Sequence, residues 1–282
     1  MEHETIPGIG KSGGFSWWRM GKHMAILFSL LAVWEYVTAT GIADELMFPQ
    51  PTEIVLSVWP LYGSPGIVWH HLWVTMATVL AGFVVGTVLG IVLAALVGMS
   101  ESTRRYLQPY IIILEATPRI AMGPLVLAWL GFGFGAKLAI VTLVCFFAPF
   151  VNTLTGILSA NESQIELMKS MGASKWQILT KVMVPDAMPL IMAGIRLAMA
   201  SALGGALVAE FISSNDGMGV LMQNLTAVLN MPAAFATLLS LTIVGFILYR
   251  LMEIVEGTVV FWQNDAGMSR ASRRREKYWR SL

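Results

Sequence analysis

Charge is the scarcest thing in this chain. Asp, Glu, Lys and Arg make up only 12% of its 282 residues, against 56% that are apolar. A soluble domain carries about 25% charged residues, so a chain this long and this poor in charge is not built to stay dispersed in water. Cysteine is nearly absent as well. The single one, Cys145, stands inside an apolar run; this excludes an intrachain disulfide framework, argues against a thiolate metal site, and reads as a small helix-packing residue. None of the four histidines (His3, His23, His70 and His71) has a second ligand at metal spacing, so no metal site is read. Net charge is +1 and the one dense basic stretch is a short tail, so nothing points to nucleic acid.

What is present is length in the apolar runs. A spanning helix needs about 20 mostly apolar residues. Six segments reach or approach that length: 24–40, 70–99, 107–130, 136–158, 190–212 and 233–261. The third is broken by Pro109, Pro118 and Pro124, and the fourth contains Pro149. The sixth ends on Arg250, Glu253 and Glu256, read as a cytoplasmic helix end. Lys11, Arg19 and Lys22 before the first segment resemble the start of a signal peptide. No small-x-small cleavage site follows and Glu35 interrupts the run, so an uncleaved first helix is expected. In lipid every backbone group must be satisfied within a helix or a closed barrel. These runs are too long for barrel strands, so the expected fold is all-α and polytopic, with about six transmembrane helices.

Orientation follows from Lys and Arg in the short loops. The N-terminal segment holds Lys11, Arg19 and Lys22, the next loop on that side Arg104 and Arg105, and the following one Lys169, Lys175 and Lys181. The tail has Arg270, Arg273, Arg274, Arg275, Lys277 and Arg280. The alternate connections, 41–69 and 213–232, hold no Lys or Arg, and Lys137 is the exception. Both termini are therefore expected in the cytoplasm. The chain divides into a cytoplasmic segment 1–23, a membrane domain 24–262 containing a loop 159–189, and a basic tail 263–282 suited to anionic headgroups or to anchoring the topology.

In the second segment Thr78, Gly82, Gly86, Gly90, Ala94 and Gly98 recur every four residues, and in the fifth so do Gly194, Ala198, Ala202 and Ala206. Small residues at this spacing let another helix approach closely. A four-residue step drifts about 40° per repeat on a 3.6-residue helix, so the stripes curl around their helices. Plain bundle packing and a sliding transporter interface both fit them.

Chemistry is harder to find. Gly131-Phe-Gly-Phe-Gly-Ala-Lys137 looks like a phosphate loop, but the pattern needs Gly before the Lys and Ser or Thr after it; Ala136 and Leu138 stand there. It is read as a flexible turn. There is no His-Glu-x-x-His and no Gly-x-Ser-x-Gly. No catalytic residue is read, the chain is not read as an enzyme, and any ATP hydrolysis must come from another chain.

The most informative stretch is the loop from Asn161 to Pro189, long and amphipathic. Ile165, Met168 and Met171 fall at helical spacing before Gly172, and Ile178, Leu179 and Val182 begin a second stripe. Gly172 is suited to end a helix, and Pro185 and Pro189 are expected to bar a smooth continuation. Two short helices meeting at Gly172 and lying along the membrane surface are expected, a shape that fits a groove on a partner.

This loop resembles the "EAA" loop of type I permeases of binding-protein-dependent ABC importers, in which a Glu opens the motif, a Gly follows six residues on and a Pro ends it. Glu166, Gly172 and Pro185 hold those positions; Leu167 and Met168 replace the two alanines. Glu-Leu-Met-Lys-Ser-Met-Gly-Ala-Ser looks more like permeases for thiamine pyrimidine precursors and riboflavin, and the rest like the nitrate, sulfonate and taurine group. Further points of resemblance are Pro49-Gln-Pro51, Phe146-Phe-Ala-Pro-Phe-Val-Asn152, Gly194-Ile-Arg196, Ala209-Glu210 and Gly217-Met-Gly219. The resemblance implies the type I importer permease fold in the bacterial inner membrane and a coupling helix seated on an ATPase subunit. It places the coupling on Glu166, Lys169, Gly172, Ala173, Ser174 and Pro185. It implies as partners two ABC ATPase subunits, which hold the ATP and magnesium, a second permease copy, and a periplasmic or lipid-anchored binding protein that carries most of the solute specificity.

Ionisable groups at membrane depth are costly, so each raises a functional question. Glu115 and Arg119 sit four apart around Pro118 and are read either as part of the substrate path or as a self-neutralising pair. Asn152 lines the path or braces a neighbouring helix; Glu210 is a pore or gate residue or, like Arg196, reaches the headgroups. Gly217-Met-Gly219 is an outer turn, or a contact for the binding protein. The alternative function is a stand-alone secondary transporter or channel, which would usually show two related halves with matched broken helices.

Overall fold

The computed structural model describes residues 17–44, 47–63, 67–213 and 215–261. Residues 1–16 and the basic tail 263–282, both expected on the cytoplasmic side, lie outside the described residues. Among the described residues every regular element is helical. In order these are α1 (Trp17–Ala39), α2 (Pro51–Gly63), α3 (Ile67–Gly98), α4 (Glu101–Ala116), α5 (Gly123–Leu130), α6 (Phe134–Leu158), α7 (Glu162–Ser170), α8 (Lys175–Ile178), α9 (Val184–Ser213), α10 (Met218–Ala227) and α11 (Met231–Val259).

Among the described residues four helical stretches are long and apolar enough to cross a membrane: Val68–Gly98, Phe134–Leu158, Lys175–Ile212 and Met231–Val259. They match the second, fourth, fifth and sixth apolar runs. The third run is not one helix. It is split into α4 and α5 around Pro118, with a tight 3-10 turn over Arg119–Met122, because Pro118 cannot donate to the helical ladder and disfavours a helical residue before it. α3 and α6 are parallel, with Gly82 beside Val141 and Gly98 beside Ile157. The 99–133 stretch therefore carries the chain back along the bundle in two pieces. Ile111 packs at the level of Val97 and Leu154, and Gly123 at the level of Ile212 and Ile140.

α6 is the centre of the bundle, with α3 and α9 on either side. A Cβ on Gly86 would fall 2.6 Å from the Thr142 carbonyl oxygen, and one on Gly90 would fall 2.6 Å from that of Phe146. The four-residue stripe of α3 is thus the seam that lets its backbone rest on α6. The stripe of α9 faces α6 too: a Cβ on Gly194 would lie 2.9 Å from the Ala148 carbonyl oxygen, and Ala198, Ala202 and Ala206 are fully buried. Cys145 sits in that seam with Val79 and Val141, a packing residue as its surroundings imply.

Glu35, which breaks the first apolar run, has a use. Its carboxylate accepts from the Thr52 hydroxyl at 2.7 Å and from the Thr52 N–H at 3.2 Å. A negative charge there complements the N-terminus of α2. Arg196 does not simply reach outward: it pairs with Glu256 of α11 at 3.0 Å. Lys137 is not in a loop. It lies in the first turn of α6, 4% exposed, so its exception to the charge asymmetry is that of a buried side chain.

Candidate functional site

The 159–189 loop begins where α6 ends. Asn161 caps α7, its side-chain oxygen accepting from the N–H groups of Ser163 and Gln164, which satisfies donors that a helix start leaves free. The Asn161 N–H in turn donates to the Asp186 carboxylate at 3.3 Å. The entrance of α7 is thereby fastened to the start of α9.

α7 stops at Gly172, whose φ is +77°. The Gly172 N–H donates to the Lys169 carbonyl and the Ala173 N–H to that of Met168, each at 3.0 Å. This is the paired closure that a left-handed glycine allows at a helix end. After it Ser174 and Gln177 cap each other reciprocally and start α8.

The expectation of a second isolated short helix ended by Pro185 is corrected here. α8 passes through a wide π turn, Leu179–Met183, directly into α9, so that 175–212 is continuous. The Val184 N–H reaches back to the Leu179 carbonyl, and this change of register leaves Pro185 in the first turn of α9, where a missing N–H costs least. The fifth apolar helix therefore starts at 175, not 190.

Within α7 no residue is buried. Leu167, Met171 and Trp176 are exposed around Gly172, and Met168 and Ile165 are half-buried. Glu166 is exposed and takes no hydrogen bond or ion pair from a described residue; Lys169 and Ser174 are exposed as well. The loop offers apolar side chains and free charge outward while being tied at its base.

Of the four substrate-path candidates, Glu115 ends α4 and Arg119 opens the 3-10 turn. Their side chains, and hence the expected pairing, lie outside the described residues. Asn152, on α6, donates to the Ala148 carbonyl at 2.8 Å and its Cβ faces Gly194 of α9.

Glu210 is fully buried at the far end of the bundle from the loop. Its Oε1 accepts from the Thr75 hydroxyl at 2.7 Å, and its Oε2 from the Gly219 N–H at 2.8 Å. Thr75 Oγ1 also accepts from the Met218 N–H at 2.8 Å, and His71 Nδ1 accepts from the Gly217 N–H at 2.9 Å. Three successive N–H groups at the start of α10 are thus met by side chains of α3 and α9. Gly217 has φ +130°, and a Cβ there would run into the Glu210 carboxylate. Lys137 donates to the Asp216 carbonyl at 3.4 Å, and His70 stands 3.5 Å from the Asp216 carboxylate. Glu210 and the motif Gly217-Met-Gly219 are the sequence signals of this cluster; His71 and Thr75 stand 146 and 143 positions from the N–H groups they accept from.

A family model described as "Binding-protein-dependent transport system inner membrane component" matches residues 86–260. The chain is similar to the formylaminopyrimidine transport permease protein ThiX of Halalkalibacterium halodurans, 30% identical over 83% of this chain and 92% of that one. It is also similar to the riboflavin transport system permease protein RibX of Chloroflexus aurantiacus, 28% identical over 91% and 95%. Among solved structures, an inward-facing form of the MetNI methionine ABC transporter aligns with a TM-score of 0.56 at 20% identity, over 68% of this chain and 94% of that one.

Proposed function

The chain belongs to the binding-protein-dependent transport system inner membrane components, as a multi-pass, non-enzymatic permease subunit of an ABC importer, and on that premise we propose that its 159–189 loop receives the stroke of a separate ATPase subunit. The observation that carries this is the loop's construction. Leu167, Met171 and Trp176 are exposed on either side of a left-handed Gly172, while Asn161 and Asp186 fasten its base to α9. An apolar face of this kind seats in a groove on a partner. A force applied there passes through α8 and the π turn into α9 without crossing a flexible link.

Glu166, Lys169, Ala173 and Ser174 meet the ATPase subunit, Gly172 permits the turn, and Pro185 accepts the register change at the entry of α9. The loop faces the cytoplasm, as the distribution of Lys and Arg implies. Two ATPase subunits, holding ATP and magnesium, act on this chain and a second, identical copy. A binding protein delivers a small organic solute on the other side; relatives named for formylaminopyrimidine and riboflavin put that class first. The break at Pro118, with Glu115 and Arg119, borders the path, and Asn152 braces α6 against α9 beside it.

Gly172→Trp tests the coupling. Nothing lies within 4 Å of a Cβ there, so Trp meets no neighbour, and the strain of a side chain at φ +77° falls on this exposed turn alone; membrane insertion should stay intact. With the neighbouring ATPase and binding protein, ATP hydrolysis stimulated by the loaded binding protein should be lost. Stimulation at the native level would overturn the coupling role, and stable ATP hydrolysis by this chain alone would overturn the division of labour.

A further inference from the structure

α9 and α11 diverge around a groove of about 500 Å³, lined among others by Leu203, Gly204, Leu207, Leu241, Gly245 and Phe246. Three of these residues, Leu203, Leu207 and Leu241, also belong to the cluster formed with Val68, Met218 and Leu221. Met218 and Leu221 are the buried face of α10. The short helix therefore rests on the end of the groove nearest Glu210. Beyond its apolar face, α10 is held by its first N–H groups: Gly217 to His71, Met218 to Thr75, Gly219 to Glu210. Thr75 is the keystone, because its hydroxyl accepts from Met218 and donates to Glu210 at once.

A buried carboxylate and a buried hydroxyl are expensive unless their lone pairs and proton are used; here they are used on each other and on the first N–H groups of α10. The rest of α10 is held less firmly: Gln223, Asn224 and Ala227 are exposed. Opening such an element costs these localised hydrogen bonds together with the contacts of Met218 and Leu221, and leaves the α3–α6–α9 seams in place.

We propose that α10 is a lid over one end of the α9–α11 groove, and that Thr75, Glu210 and His71 are positioning residues that clasp it shut. Glu210 then serves transport without facing the solute: it sets how readily the groove opens at the end opposite the ATPase-coupled loop. The assignment rests on the permease reading for its role in transport, and on geometry alone for the clasp.

Accessibility of the groove tests it. In a Cys145→Ser background the full chain carries one reporter cysteine, either Leu207→Cys at the covered end or Tyr249→Cys at the opposite end of the groove, beside the charged Arg250, where the native side chain is 40% exposed. Each is reconstituted in lipid nanodiscs, open on both faces, and labelled with a negatively charged maleimide in the absence of ATP. Thr75→Val should speed labelling of Leu207→Cys at least about tenfold, the scale of one buried hydrogen bond withdrawn from closure. Thr75→Ser, which keeps the hydroxyl, should label at the native rate, and Tyr249→Cys should not change in either. Glu210→Gln, which keeps the volume, should speed Leu207→Cys several-fold and supplies the reading should the valine variant not be recovered. An unchanged rate at Leu207→Cys, or an equal rise at both reporters, overturns the lid. Because no ATP is present, that failure would leave the coupling assignment standing, whereas failure of the Gly172→Trp test would leave the clasp standing.

Discussion

The two ends of this bundle are held together in opposite ways. At the 159–189 loop, almost every hydrogen bond joins residues within five positions of each other, the side chains of 161–177 are exposed or half-buried, and the longer tie among the described residues is from Asn161 to Asp186. At the other end, Thr75, His71 and Glu210 reach α10 across 143, 146 and 9 positions, in full or partial burial. The contrast teaches where each end keeps its stability. The loop is shaped by local turns and caps, so it can offer its surface to a partner without endangering the fold. The clasp has no surface to offer; its partners are interior groups whose removal strands a buried donor or acceptor.

Breaking the clasp should therefore cost most. Glu210→Ala leaves the Gly219 N–H and the Thr75 hydroxyl without their acceptor in a fully buried place, and should cost about 3 kcal/mol, since bonds to a charged group contribute about 1.5–3 kcal/mol each. Thermal unfolding of the purified chain in detergent, read by loss of helical circular dichroism, checks this. A smaller effect belongs to the loop: Asn161→Ala removes the cap of α7 and should cost about 1 kcal/mol. Proteolysis within 162–172 should show it first, because the fraying is local. The smallest belongs to Glu166→Gln, an exposed group with no described intrachain partner. Its stability should stay within about 0.5 kcal/mol of native, while its affinity for the ATPase subunit falls. If Glu166→Gln destabilised the isolated chain as much as Glu210→Ala, the contrast between the two ends would be wrong.

How much could be read in advance divides along the same line. The apolar runs located α3, α6 and α11 to within a few residues, because hydrophobicity over 20 residues is a property of the segment itself. The glycine stripe of α3 announced a close contact, and Gly82, Gly86 and Gly90 make it against α6. Gly172 announced a turn for the same local reason. Pro185 misled, because a proline forbids one hydrogen bond but says nothing of a π turn that removes the need for it one step earlier. Of the three prolines in the third run only Pro118 divides it, whereas Pro109 lies inside α4 and Pro124 in the first turn of α5. Arg196 and Glu210 stay ambiguous in sequence for a common reason: each is met by a helix other than its own, Arg196 by α11 and Glu210 by α3.

By itself, then, the sequence determined that this is a helical membrane protein with no catalytic apparatus of its own, and that its long amphipathic loop turns on a glycine. Those conclusions depend on composition and on spacings shorter than one helix. Only the tertiary structure decided that α10 lies clasped over the α9–α11 groove by Thr75, His71 and Glu210. A buried polar group announces in sequence that it needs a partner, but the partner is chosen by the packing that brings distant helices side by side.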